Sequence, residues 1–158
     1  MPARDKLRGM QGSGLAKYLG GEEMKDVDRI EMSWLVAARP KEVYDHWMSS
    51  KGHAAMTGGA ADIDDSVGGE FSAWDGYIFG VTKKLERNRR IVQTWRTTEF
   101  SKRSPDSRIE VRLRGFKGQT QVYLGHTNLR RGDGAKYTDG WYKFYLEPMI
   151  AYFEKKRG

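Results

Sequence analysis

The chain of 158 residues has no cysteine, only four prolines and no apolar run near the ~20 residues that a membrane-spanning helix needs. The absence of cysteine excludes disulfide bonds and thiolate metal sites. The first residues also lack the basic start and hydrophobic stretch of a secretory signal. These absences predict a cytoplasmic protein without a membrane span.

Composition favours one folded domain preceded by a leader. Hydrophobic residues make up 38% of the chain and aromatic residues 12%, which is typical of a protein with a packed core. Residues 1–28 are rich in glycine, and we expect a flexible leader in which Leu15, Tyr18 and Leu19 form one short helical turn that docks weakly. Residues 29–158 are long enough for a single domain with a core and an internal cavity.

The net charge of +7 is unevenly distributed, because residues 1–86 are slightly acidic and residues 87–158 are strongly basic. A basic region can attract an anionic partner such as nucleic acid. Here the basic residues alternate with apolar ones on a predicted strand, which is typical of a solvated sheet face: Arg108, Arg112, Arg114 and Lys117 alternate with Ile109, Val111 and Leu113. We therefore favour solubility over nucleic-acid binding as the role of this charge.

Local patterns predict the order of the elements. A strand over Arg29–Val36 alternates apolar and polar residues, and Pro40 begins a helix that ends within 49–52, followed by one helical turn over His53–Thr57. A final helix is capped by Thr138 or Asp139 and bends at Pro148. Six further strands joined by tight turns indicate an antiparallel meander: Ala60–Asp64, Gly69–Trp74, Tyr77–Glu86, Arg90–Thr98, Ser107–Phe116 and Gln119–Thr127.

Five motifs rich in glycine and aromatic residues follow one another along the chain. They are PKEVYDHW at 40–47, AMTGG at 55–59, GGEFSAWDGYIFG at 68–80, IVQTWR at 91–96 and GWYKFYLEPMIAYF at 140–153. In this order they resemble the domain of the activator of heat-shock protein 90 ATPase homologs, which belongs to the START-like (SRPBCC, birch-pollen-allergen-like) superfamily. The resemblance covers residues 28–155.

The resemblance implies an α+β helix-grip fold. In this fold a curved seven-stranded antiparallel sheet surrounds a long C-terminal helix, and two short helices follow the first strand. A hydrophobic cavity lies between the sheet and the helix. The stand-alone proteins that this chain resembles more closely are mostly small-molecule binders or have no assigned activity, and the resemblance in this way favours a ligand-binding function.

The aromatic residues themselves favour a cavity, although each of them could simply fill the core. A curved sheet facing one helix leaves a gap that large rigid side chains do not fill everywhere, and ligand pockets are usually lined by such residues. We expect a small hydrophobic or aromatic ligand in a cavity lined by Trp34, Trp47, Met56, Phe71, Tyr77, Phe79, Trp95, Trp141, Tyr145 and Met149. Two alternatives stay open, a chaperone-associated accessory protein with a protein partner and a cyclase or hydrolase acting in the same cavity.

The sequence evidence for catalytic or metal-binding residues is weaker than the evidence for a cavity. His46 and His53 straddle a predicted helix break and lack a spaced third ligand, and the acidic residues at 62–65 do not follow the spacing of a calcium loop. Arg96 and Glu99, or Glu70 and Asp75, can place charge near the mouth of the cavity. The sequence therefore predicts no metal site and no cofactor, and it favours binding over catalysis in a monomer or homodimer.

Overall fold

The computed structural model describes residues 27–157. The sheet begins with a strand in which apolar and polar side chains alternate. In β1 (Val27–Val36), Ile30, Trp34 and Val36 are buried, whereas Glu31 and Leu35 are exposed. The remaining elements are, in chain order, α1 (Pro40–Trp47), α2 (Ser50–Thr57), β2 (Asp62–Ile63), β3 (Glu70–Ala73), β4 (Ile78–Glu86), β5 (Arg90–Thr97), β6 (Ser107–Phe116), β7 (Gln119–Arg130), α3 (Asp133–Trp141), a π-helical turn (Tyr142–Leu146) and α4 (Glu147–Arg157).

The seven strands form one antiparallel sheet in the order β1-β7-β6-β5-β4-β3-β2. Consecutive strands from β2 to β7 pair with one another because short turns join most of them, and β1 pairs with β7. The α3 helix, the π-helical turn and α4 together form a continuous helix of 25 residues, and the curved sheet surrounds it. The helix-grip fold predicted from the sequence is confirmed.

Two short helices follow β1, as the resemblance implied. Pro40 lies in the first turn of α1, where its missing N–H removes no helical hydrogen bond. Ser49 caps α2, since its hydroxyl accepts a hydrogen bond of 2.8 Å from the N–H of Gly52, and Gly58 ends this helix in a left-handed conformation. This cap starts α2 earlier than the single turn predicted over 53–57.

Gly80 lies where β4 and β5 approach each other closely. A Cβ atom at this position would lie 2.0 Å from the carbonyl oxygen of Thr94, so a side chain cannot be accommodated without a shift of the backbone. The β4–β5 register shifts between Thr82 and Lys84, which marks a bulge. Bulges bend a strand and increase its twist, and this one helps the sheet to curve over the helix.

The long helix begins with a cap that comes from the other end of the domain. The carboxylate of Asp28 on β1 accepts hydrogen bonds from the N–H groups of Gly132 and Gly134, at 2.8 and 2.9 Å. The helix therefore starts at Asp133, and the prediction of a cap at Thr138 or Asp139 is wrong. The predicted leader lies outside the described residues except for Val27 and Asp28, which belong to β1.

The helix changes from α to π geometry just before its proline. Within the turn over Tyr142–Leu146, backbone N–H groups bond the carbonyl five residues earlier instead of four. The N–H of Glu147, for example, donates to the carbonyl oxygen of Tyr142. Pro148 has no N–H to offer the carbonyl four residues earlier, and its ring would crowd that carbonyl. The wider π-helical turn accommodates this. The sequence predicts a bend at Pro148, and the π-helical turn lies on the N-terminal side of that proline.

The outer face of the sheet carries much of the positive charge. Along β6 the apolar residues are buried and the arginines are exposed, as predicted: Ile109, Val111 and Leu113 point inward, and Arg108, Arg112 and Arg114 point outward. Lys117, which the prediction included, lies in the turn after β6. Glu110 on the same face pairs with Arg90 and Arg112.

Removing the Asp28 carboxylate should destabilise the fold. In Asp28→Ala, two N–H groups at the start of the long helix lose their acceptor, and we expect the free energy of unfolding to fall by about 2 kcal/mol. Urea denaturation followed by tryptophan fluorescence measures this. The control Glu31→Ala removes an exposed carboxylate that pairs with Arg29, and it should cost less than about 1 kcal/mol. Equal losses in both variants would contradict the role of Asp28 as a cap.

Candidate functional site

A pocket opens between the sheet and the N-terminal half of the long helix. Its volume is about 520 Å³, which falls within the roughly 300–1,000 Å³ typical of small-molecule sites. The segment from β3 to β5 provides one wall, and α3 with the π-helical turn provides the other. The lining residues are Trp74, Tyr77, Ile78, Trp95, Lys136, Tyr137, Asp139, Gly140, Trp141, Lys143, Phe144 and Tyr145.

Aromatic rings make up most of the wall. The ring centroid of Trp95 lies 5.8 Å from that of Trp141 and 5.1 Å from that of Tyr137. At the rim, Trp74 meets Phe144 edge to face at 4.9 Å, and Phe144 is 42% exposed. Because interlocked rings of this kind have few alternative arrangements, the pocket presents a stiff apolar surface.

A chain of hydrogen bonds behind this wall joins the helix to three strands. The indole N–H of Trp141 donates to Nδ1 of His126 at 3.0 Å, so Nε2 carries the imidazole proton. That nitrogen lies 2.8 Å from the hydroxyl of Ser107, which in turn donates to the carbonyl oxygen of Trp95 at 2.7 Å. Each polar side-chain atom in this series of hydrogen bonds thus has a partner inside the protein.

The surroundings of His126 keep its ring neutral. The side chain is fully buried, and burial lowers its pKa to about 3, because the imidazolium form would lose its hydration. In the neutral ring both nitrogens are already engaged, one as acceptor and one as donor. His126 therefore serves to hold Trp141 and Trp95 in place.

A second buried histidine anchors Tyr145 in the same way. The hydroxyl of Tyr145 donates to Nε2 of His53 at 2.7 Å, and Nδ1 of His53 donates to the carbonyl oxygen of Trp47 at 2.9 Å. Burial lowers the pKa of His53 to about 4 and raises the pKa of Tyr145. Only the faces and edges of the Tyr145 ring are left for the pocket.

The mouth of the pocket is polar. The carboxylate of Glu99 accepts hydrogen bonds from the hydroxyl of Tyr77 and from the ammonium group of Lys136, so it bridges the sheet side and the helix side. These bonds lower the pKa of Glu99. Deeper in, the hydroxyls of Tyr137 and Thr97 lie 3.0 Å apart and pair with each other. Charge is thus confined to the opening.

The structure divides the ten predicted cavity residues into three groups. Tyr77, Trp95, Trp141 and Tyr145 line the pocket together. Five others lie in the buried core, at most 6% exposed, and are not among the lining residues: Trp34, Trp47, Met56, Phe71 and Met149.

Phe79 lies on the opposite face of the sheet from the pocket. It is 37% exposed and pairs across the sheet with Ser72 and Arg96. Side chains alternate along a strand, and its neighbour Ile78 takes the inward position instead. Phe79 is therefore not among the residues that line the pocket.

Sequence reasoning missed Tyr137 and Phe144. A cap at Thr138 or Asp139 would leave Tyr137 outside the helix. Once the helix starts at Asp133, Tyr137, Trp141 and Tyr145 recur at four-residue steps, which is the spacing of one helical face. That spacing is visible in the sequence.

The candidates His46 and Arg96 have structural partners. His46 bonds the carbonyl oxygen of Glu42 and the hydroxyl of Tyr152, and Arg96 binds Asp106 and two loop carbonyls. Among residues 27–157, no group of three or more histidine or acidic side chains is arranged to hold a metal ion. Within the same range, no helix is long and apolar enough to cross a membrane.

With this geometry in place, comparison with known proteins identifies the family. The profile of the family described as Activator of Hsp90 ATPase homolog 1-like protein matches residues 37–154. The chain belongs to this family. The match includes α1, the strands from β2 to β7 and nearly all of the long helix, and it therefore contains the whole pocket.

Individual proteins are similar to this chain in sequence or in fold. An activator of 90 kDa heat shock protein ATPase homolog from Dictyostelium discoideum is 29% identical over 109 residues, which cover 68% of this chain and 28% of that protein. This chain thus matches only about a quarter of the curated relative's length. An HSP90 activator from Plasmodium falciparum has the same fold, with a TM-score of 0.71, 20% identity and coverage of 78% of this chain and 94% of the other. Ara h 8.0201 also shares the fold, with a TM-score of 0.63, 10% identity and coverage of 82% and 99%.

The two buried histidines predict a loss of stability in mild acid. Their pKa values in the folded state are about 3 and about 4, whereas an unfolded histidine titrates near 6.5. Between these values the unfolded chain binds protons that the folded protein does not, so the free energy of unfolding falls with falling pH. From pH 7 to pH 5 we expect a loss of about 2 kcal/mol for each histidine.

Urea denaturation at pH 5, 6 and 7 measures this dependence. In His126→Gln one of the two titrating groups is gone, so the slope of unfolding free energy against pH should fall by roughly half, whatever the variant's absolute stability. The same slope in both proteins would show that His126 does not contribute.

Proposed function

We propose that the pocket between the sheet and the long helix binds a small, flat and mainly apolar molecule. The observation that carries this proposal is the aromatic wall around a volume of about 520 Å³. Contacts with Trp74, Tyr77 and Phe144 would supply much of the binding energy, since these lining rings still expose apolar surface that a ligand removes from water. The buried rings of Trp95, Trp141 and Tyr137 give the pocket its stiff backing.

The distribution of polar atoms narrows the ligand class. The indole N–H of Trp141 and the hydroxyls of Tyr137 and Tyr145 are held by His126, Thr97 and His53, so these three side chains offer rings to a ligand. The indole N–H of Trp74, which also lines the pocket, is buried without a hydrogen-bond partner and is free to donate to a ligand. Polar substituents of the ligand would find partners at the mouth, where the lining includes Lys136, Asp139 and Lys143. A ring system with one polar end fits this pattern.

Binding accounts for the pocket better than a cyclase or hydrolase reaction does. Acid–base catalysis needs a group that can exchange a proton with the substrate near neutral pH. His126 and His53 have both nitrogens engaged, and burial holds their pKa values well below neutral. Glu99 lies at the mouth and is engaged by Lys136 and Tyr77.

Gly140 offers a clean test of the proposal. It lines the pocket, and a Cβ atom there would meet only a ring carbon of Phe144, at 3.9 Å. In Gly140→Phe the new ring should fill the pocket and weaken binding of the apolar probe 1-anilinonaphthalene-8-sulfonate at least tenfold, roughly the effect of losing one aromatic contact of about 1.4 kcal/mol. Fluorescence titration measures the dissociation constant.

The matched control is Gly140→Ala, which adds the same Cβ and favours the helix but leaves the pocket open. Its dissociation constant should stay close to that of the unmodified protein. Native mass spectrometry of the purified chain would in addition detect a retained natural ligand. Equal probe binding by the unmodified protein, Gly140→Ala and Gly140→Phe would contradict the proposal, because the probe would then bind outside the pocket.

A second candidate function follows from the family. The relatives from Dictyostelium discoideum and Plasmodium falciparum carry the names of HSP90 activators, and we infer that this chain can act as an accessory protein of a 90 kDa heat-shock ATPase. The exposed basic face of β6 is available for a contact with the chaperone.

A steady-state ATPase assay with a purified 90 kDa heat-shock protein tests this inference. We expect the rate to rise with added chain and the rise to shrink in Arg112→Glu combined with Arg114→Glu, which reverses charge on the exposed face. Including Gly140→Phe separates the two candidate functions, since it blocks the pocket and leaves that face unchanged. No change of rate at saturating concentrations of the chain would count against the accessory role.

A further inference from the structure

Two of the five tryptophans have a buried indole N–H without a hydrogen-bond partner among residues 27–157, namely Trp34 and Trp74. A buried donor normally has an acceptor inside the protein, because it has lost its hydrogen bond to water. Trp34 belongs to the core and is not among the lining residues of the aromatic pocket, whereas Trp74 is. The donor of Trp74 is therefore the one that a ligand in the pocket is placed to satisfy.

The backbone at Trp74 has an unusual conformation. Trp74, Asp75 and Gly76 have positive φ angles of 51°, 59° and 87°, and the left-handed region is rare for a bulky side chain. If β3 continued as a strand, Trp74 would point away from the side on which Ala73 is buried. The left-handed turn instead leaves the Trp74 ring in the lining of the pocket. Conformations of this kind are found often at binding sites.

Contacts with the segment after α2 hold the Trp74 ring in this position. A Cβ atom at Gly59 would lie 2.5 Å from two carbons of the ring, so the ring lies directly on the backbone there. The N–H of Asp75 donates to the carbonyl oxygen of Ala60 at 3.0 Å, and the Asp75 carboxylate accepts from the N–H of Ala60 at 3.2 Å. The protein thus fixes the ring of Trp74 without giving its N–H a partner.

Phe144 is the neighbour that can open access to this N–H. The indole nitrogen of Trp74 is buried, so an oxygen atom of a ligand reaches it only when a neighbouring side chain moves. The ring of Phe144 meets that of Trp74 edge to face, with 4.9 Å between the centroids, and Phe144 is 42% exposed. Because much of this side chain is already in water, turning it outward breaks few contacts in the core.

We propose that Trp74 selects the ligand by donating its indole N–H to an oxygen atom carried on the ligand's ring. The ligand class is then a flat aromatic ketone or quinone rather than an aromatic hydrocarbon, and Phe144 gives way as it enters. This inference rests on the proposed function, since it concerns the same pocket. A hydrocarbon of the same shape leaves the donor unpaired, so it should bind about fivefold more weakly than the ketone.

The compounds 9-fluorenone and fluorene form a matched pair for the test, because they differ only in a ring carbonyl that replaces a methylene group. Displacement of 1-anilinonaphthalene-8-sulfonate gives the dissociation constant of each. In the unmodified protein the ratio of fluorene to fluorenone constants should be about fivefold higher than in Trp74→Phe, which keeps an aromatic ring and lacks the donor. Differences in solubility between the two compounds cancel in this comparison of ratios.

The matched control is Phe144→Leu, which alters the same contact at the rim and keeps the N–H of Trp74. Both dissociation constants should rise together, and their ratio should stay within about twofold of that in the unmodified protein. The indole signals of Trp34 and Trp47 in heteronuclear NMR spectra report whether the core of each variant is intact, since both residues are buried outside the pocket lining.

The same spectra observe the proposed hydrogen bond directly. The indole N–H signal that is lost in Trp74→Phe identifies Trp74. In the unmodified protein this proton signal should move further downfield with 9-fluorenone than with fluorene, as expected for a new hydrogen bond. The signal of Trp34, whose N–H is also unpartnered but which does not line the pocket, should stay in place with both compounds.

The outcomes separate this inference from the proposed function. Equal binding of both compounds by the unmodified protein, or a preference for the ketone that persists in Trp74→Phe, would overturn the role of Trp74 and leave ligand binding standing. A ratio that falls equally in Phe144→Leu and in Trp74→Phe would also overturn it, because the shape of the rim would then set the preference. Failure of both compounds to displace the probe or to shift any pocket indole would contradict both proposals.

Discussion

The imidazole of His126 holds the long helix on the sheet. It accepts a hydrogen bond from the indole N–H of Trp141 on the helix, and its other nitrogen is hydrogen-bonded to the hydroxyl of Ser107. That hydroxyl donates to the backbone carbonyl of Trp95. A buried polar group must find its partners inside the protein, because water cannot reach it. This requirement fixes the separation and the tilt of Trp95 and Trp141, whose ring centroids lie 5.8 Å apart in the wall of the pocket.

The character of the pocket follows from the same constraint. Hydrogen bonds that hold Trp141, Tyr137 and Tyr145 in place use up the polar atoms of their rings. What they present to the pocket is then mostly ring surface, while charge remains at the mouth around Glu99 and Lys136. The polar atoms of these aromatic residues thus form hydrogen bonds in the core, and their ring surfaces line the pocket. The stability of the domain and its binding surface therefore depend on the same side chains.

The sequence predicted the fold well where the signals are local. Alternation along the strands, the proline that opens α1 and the order of five motifs were enough for a seven-stranded helix-grip domain. Prediction from the sequence failed where a residue's interaction partner lies far away along the chain. Asp28 caps a helix more than a hundred residues away, and Phe79 faces outward because the register of its strand, not its own character, decides the face.

By itself the amino-acid sequence determined the kinds of element, their order and the supply of aromatic side chains, because these depend on residue type and on spacing within one helix or strand. Only the tertiary structure decided which aromatic residues fill the core and which line the pocket. Trp47 and Trp141 are both buried tryptophans with hydrogen-bonded indoles, yet only Trp141 lines the pocket. The difference arises from where the curved sheet and the helix diverge, and that distance is set by contacts between residues far apart in the chain.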